Sequence, residues 1–107
     1  MRAENQPRPP LICDLSVLDP ATRAAHIELG SYLLGEAAEE RRELADGYAF
    51  RFAAERYDQV VAFVANERRC CPFLRFDLAV EPDGGPLTLR MTGGKGVKAV
   101  LQAELGV

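Results

Sequence analysis

Cysteine is the residue whose placement in this chain points to chemistry. Three occur among 107 residues, and two are adjacent, in Glu67-Arg68-Arg69-Cys70-Cys71-Pro72-Phe73-Leu74. Pro72 disfavours the α region for Cys71, so a helix reaching this point should end near Cys70. Within a helix, side chains at i and i+1 do not face each other. At a helix end the second cysteine is released, and the two sulfurs could converge on one ion. Soft thiolate ligands select soft ions. Two sulfurs suit a two-coordinate ion such as Hg(II) or Cu(I), and three suit trigonal As(III). The third cysteine, Cys13, precedes the first expected helix as a candidate third ligand, although nothing in the sequence brings it to the pair.

Other readings of the cysteines stay open. Free cysteine is a small, easily buried hydrophobe. A Cys70–Cys71 disulfide would be strained, because neighbouring Cα atoms sit about 3.8 Å apart and ordinary disulfides need roughly 4.4–6.8 Å. Zinc would want four ligands, and three cysteines plus His26 match no zinc spacing. Glu67 shares a helix face with the cysteines and falls in line with Val60, Phe63 and Val64, where a buried helix would carry an apolar residue. It is the candidate catalytic group, able to relay a proton or ligate a metal. Alternatively it forms a salt bridge to Arg68, Arg69 or Arg75. Arg68 and Arg69 would favour thiolates or simply complement the helix dipole. His26, the single histidine, is more often structural than catalytic in such a setting, and no Ser-His-Asp set assembles around it. Gly93-Gly94-Lys95-Gly96 lacks the spacing of a phosphate loop and reads as a turn.

The elements that must position these residues follow from periodicity. Asp19-Pro20 starts a helix to about Ala38, with Ala25, Leu29, Tyr32 and Leu33 as its stripe. Asp46-Gly47 marks a two-residue turn between a weak strand near 40–44 and a strand near 48–53, in which Tyr48, Phe50 and Phe52 alternate with Ala49 and Arg51. A second helix spans about 55–70, with Tyr57, Val60, Val61, Phe63 and Val64 inward. Leu74, Phe76, Leu78 and Val80 form the clearest strand, near 74–81. The turn Pro82-Asp83-Gly84-Gly85-Pro86 leads to a strand near 87–92, and a last helix covers about 95–105. The expectation is an α+β domain over 11–107, order α-β-β-α-β-β-α, with an antiparallel four-stranded sheet and helices on one face. Residues 1–10, with three prolines and no periodicity, read as a flexible arm.

Bulk properties narrow the classes. Hydrophobic residues make up 48% and charged residues 27% of the chain, as in an ordinary globular protein, and the net charge is −3. No basic block suggests nucleic acid, no apolar run suits a membrane, and the chain reads as cytoplasmic. A homodimer stays open.

The segment Glu67 to Phe76, E-R-R-C-C-P-F-L-R-F, resembles a family of small bacterial proteins that often accompany mercury- or arsenic-resistance genes. The likeness extends to Asp46-Gly47-Tyr48 with Phe50 and Phe52, to Cys13 before the first helix, and to the Gly-rich turn before the last. It implies a thiol-dependent role with heavy metals. Organomercurial lyases also use a cysteine pair with a carboxylate, but this chain is too short and lacks their wider pattern. The leading expectation is therefore a binding protein for a soft metal ion or metalloid (Hg, As or Cu) through Cys70 and Cys71, with Cys13 as a third ligand. The alternatives are a redox protein or small enzyme using the pair with Glu67, and a structural or protein-binding domain.

Overall fold

The structure, a computed structural model, describes residues 11–105. The arm expected over 1–10 lies outside them. Four strands, β1 (Glu40–Leu44), β2 (Gly47–Phe52), β3 (Arg75–Val80) and β4 (Leu87–Thr92), make one antiparallel sheet in the order β1-β2-β4-β3. Three α-helices accompany it, α1 (Pro20–Tyr32), α2 (Tyr57–Cys70) and α3 (Val97–Leu105). The expected element order and sheet type are thus observed. Each hairpin is followed by a helix, and the hairpins join through their second strands, β2 and β4.

The core is the expected alternation made concrete. Tyr48, Phe50 and Phe52 on β2 face the same way as Leu87, Leu89 and Met91 on β4, and all six are buried. The helices cover this row with Leu33, Val60, Phe63, Val97 and Leu101. Burying each large apolar side chain contributes about 1.5–3 kcal/mol, so these central rows carry much of the stability. Edge strand β1, Glu-Arg-Arg-Glu-Leu, is almost wholly exposed, which explains its weak sequence signal.

Several local details differ from the periodicity. Asp19 caps α1 as expected, its side chain accepting from the Thr22 N–H at 2.9 Å. The α-helix then gives way at Leu33 to a wider π turn, Leu33–Ala37, closed by Ala38 N–H to Leu33 O at 2.9 Å. Ala25 faces solvent, as do Tyr57 and Val61 on α2. The buried α2 stripe is therefore narrower than expected, running Val60, Phe63, Glu67 and Cys70, and a 3₁₀ turn, Ala54–Arg56, precedes the helix. On β3, Leu78 and Val80 are 36% and 53% exposed, because the helices do not extend over this edge strand. The last helix begins at Val97 rather than Lys95, since Gly96 holds φ +88°, outside the helical region.

The two Asp-Gly pairs do different work. Asp83 and Gly84 both have positive φ, 59° and 72°, and close the β3–β4 hairpin as the sequence signal implies. In the β1–β2 hairpin, Leu44 pairs with Gly47, so the loop residues are Ala45 and Asp46, neither with positive φ. Gly47 is needed for space: a Cβ there would overlap the Met91 carbonyl oxygen on β4.

That overlap predicts the outcome of one substitution. Gly47→Ala should destabilise the fold by about 1–3 kcal/mol, as overpacking against backbone does, read from the denaturant midpoint. An unchanged midpoint would show that β2 and β4 do not approach this closely.

Candidate thiol and metal site

Three segments meet at the C-terminal end of α2. Glu67 and Cys70 lie on its inner side, and both are buried. Pro72 ends the helix as its ring requires, and Cys71 leaves the helical region at φ −123°, ψ 70°. Its N–H still reaches the Glu67 carbonyl at 2.8 Å, so the turn stays tight while the side chain swings free. The segment before α1 runs alongside. Asp14 N–H donates to the Cys70 carbonyl at 2.8 Å, and the Arg69 guanidinium donates to the Val17 carbonyl at 3.1 Å. These bonds set Cys13 against the helix end.

Cys71 is joined to Cys13 by a disulfide across 58 residues, with Cα atoms 4.5 Å apart. That spacing falls inside the ordinary disulfide range. The expected convergence of Cys70 with Cys71 is not what the structure shows. Released at the helix end, Cys71 turns toward Cys13, while Cys70 keeps its helical direction into the core. Cys70 is a free, fully buried thiol. Burial first, and the Glu67 carboxylate second, push its thiol up and away from thiolate character. Cys13 does reach the site, and with Cys71 and Glu67 it forms a group whose ligand atoms all lie within 4.8 Å of one another. Two sulfurs and one carboxylate oxygen are a donor set that suits a soft ion once the disulfide is reduced.

Glu67 is 9% exposed and is held by neither Arg68, Arg69 nor Arg75. Its Oε1 lies 2.7 Å from His26 Nε2, and its Oε2 lies 3.5 Å from the Cys71 sulfur. In the disulfide that sulfur carries no hydrogen. After reduction its S–H could donate to the carboxylate. His26 is 4% exposed, stacks on Phe63 with ring centroids 5.2 Å apart, and leaves Nδ1 with no partner among the described residues. A neutral imidazole donating from Nε2 to the Glu67 carboxylate leaves Nδ1 an empty acceptor, a smaller penalty than a buried N–H without an acceptor.

The His26–Glu67 dyad is the feature that sequence reasoning missed. A signal existed. His26 falls on the helical stripe with Leu29 and Leu33, as Glu67 falls on that with Val60 and Phe63. Two polar residues on two buried stripes are natural partners. His26 is not, however, a member of the three-residue ligand group. Comparison with protein families, with curated proteins and with solved structures finds no match for this chain.

The thiol pairing has a direct chemical readout. Alkylation of the unreduced, unfolded chain should label one cysteine, Cys70, and alkylation after reduction should label three. Reduction should cost about 2–4 kcal/mol of stability. Labelling of Cys13 or Cys71 without reductant, with Cys70 protected, would contradict the pairing.

Proposed function

We propose that the reduced chain binds a soft metal ion between Cys13 and Cys71, with Glu67 as the adjacent oxygen donor, and that the disulfide is its oxidised form. The observation that carries this reading is the three-residue cluster, with ligand atoms within 4.8 Å of one another at one helix end. Thiolate–metal bonds of about 2.3 Å, the zinc value, would place two sulfurs of a linear ion roughly 4.6 Å apart. The opening needed is small, because Cys13 sits on a short segment ahead of α1 and is itself partly exposed. Two sulfurs and a carboxylate favour a linear ion such as Hg(II) or Cu(I) over As(III), which takes three sulfurs. The resemblance around Glu67 to Phe76 points toward the same class of ligand. No helix of the described residues is long and apolar enough to cross a membrane, and we place the protein in the cytoplasm, where thiols stay reduced.

In this reading each neighbour has a task. His26 orients Glu67 through the 2.7 Å contact, as second partners of metal ligands do. The protons that Cys13 and Cys71 lose on coordination go to solvent, and Glu67 stays a carboxylate facing the ion. Cys70 fills the core beneath and is not a ligand.

A second reading rests on the contact between Glu67 Oε2 and the Cys71 sulfur. The Cys13–Cys71 pair would exchange with an external dithiol. Two electrons and two protons would pass to the pair, the external dithiol becoming a disulfide, and Glu67 would hand one proton to the Cys71 sulfur. Turnover of the disulfide by a dithiol at a rate that drops in Glu67→Gln would favour this reading.

Titration of the reduced protein with Hg(II), followed by metal–thiolate absorbance, tests the first. One ion per chain should bind tightly. Cys13→Ser and Cys71→Ser should each abolish tight binding, Cys70→Ser should leave it intact, and Glu67→Gln should weaken it roughly tenfold. Loss in Cys70→Ser with retention in Cys13→Ser would return the site to the adjacent pair.

A further inference from the structure

A cleft of about 280 Å³, lined by Glu67 but by no cysteine, opens between α1, the π turn, α2 and the end of α3. Its volume is near the lower end of small-molecule sites, roughly 300 Å³. Apolar side chains, Ile27, Leu34, Phe50 and Phe63 among them, share the walls with polar ones. The polar groups are unequal in sign. Glu67 forms part of the lining, Glu104 stands at the exposed rim, and His26 is set into the wall. Arg41 is the one cationic residue in that lining, and it makes no ion pair among the described residues.

The dyad at this cleft carries two unmet polar demands. Glu67 is nine-tenths buried, and among the described residues no lysine or arginine pairs with it. Buried carboxylates are normally met by an opposite charge or a metal. His26 Nδ1 is buried with no hydrogen-bond partner among the described residues. A cationic N–H donor supplied from the cleft would meet both. Glu104 adds a second carboxylate at the rim. Partial burial, and then the charge of Glu67, hold its carboxyl above the usual range.

We propose that this cleft is a binding site for a small organic cation, an ammonium or amidinium on a short apolar or aromatic body, with its charge between Glu67 and Glu104 and its body against Ile27 and Leu34. The inference goes beyond the metal reading and does not depend on the thiols, none of which lines the cleft. An apolar cleft alone would take any small hydrophobe. The carboxylates make the ligand's charge decisive.

The test uses the oxidised full chain and three ligands of one shape. Benzamidine is the cation, benzamide the neutral isostere and benzoate the anion, each titrated by NMR with shifts followed at Ile27, Leu34 and Phe63. Benzamidine should bind saturably at these residues, benzamide at least roughly tenfold more weakly, and benzoate not at all. Glu104→Gln should weaken benzamidine roughly tenfold and Glu104→Lys should abolish it, with thermal stability little changed because the residue is exposed. Hg(II) binding by reduced Glu104→Gln should match the parent, so failure of one site is not mistaken for failure of the other. Equal binding of the three ligands, shifts confined to residues outside the cleft, or a Glu104→Gln variant that binds benzamidine as well as the parent would each overturn the proposal.

Discussion

A carboxylate nine-tenths buried on the inner face of a helix has to be accommodated, and the upper half of this domain is arranged around that requirement. Glu67 takes a hydrogen bond from His26 on α1, which ties the two helices by a polar contact at 2.7 Å. Its other oxygen faces the Cys71 sulfur, so a proton, a metal or a charge arriving there acts on the thiols and on the imidazole together. The cost of burying such a group without full compensation is several kcal/mol, more than most single apolar contacts return. This buried carboxylate stands where the disulfide closes and a cleft opens. Cys70 beneath it shows the contrast, since the same residue type, one position earlier, is a buried thiol with no polar role.

The scaffold makes this possible by leaving one end of the sheet layer irregular. Strands β2 and β4 supply a rigid apolar floor, with Phe50 and Leu89 paired in register and both fully buried. Above that floor α1 widens into a π turn, and α2 stops at Pro72. π turns recur at functional sites in proteins because one extra residue re-aims the surrounding side chains. Here Leu34 and Gly35 of that turn line the cleft. The segment before α1 is held to the end of α2 by two hydrogen bonds as well as by the disulfide, so reduction should loosen Cys13 without detaching its neighbours.

The fold was legible because its strongest signals are local. Alternation in Tyr48 to Phe52 and in Leu87 to Met91 names the central strands, and Pro72 names the end of α2. Local signals also set the limits. Leu78 and Val80 alternate as clearly as any residues in the chain, yet they lie at an edge no helix reaches, since cover is decided by tertiary packing. The site was half legible. The cysteine-proline junction and the misplaced carboxylate marked the right helix end, but the partner of Cys71 was Cys13, 58 residues away. Which of two adjacent side chains turns inward at a helix end depends on one pair of backbone angles at Cys71, and no residue pattern encodes what stands opposite it. The His26–Glu67 contact escaped for the same reason, being a relation between two helices.

The central claim is that Cys13 and Cys71, and not the adjacent pair, hold the ion beside Glu67. Anomalous scattering from a crystal of the reduced protein loaded with one equivalent of Hg(II) tests it most directly. The account predicts a single mercury peak bridging the Cys13 and Cys71 sulfurs, with a Glu67 oxygen as its nearest other donor. A peak bridging Cys70 and Cys71, or mercury only at single exposed sulfurs, would contradict it.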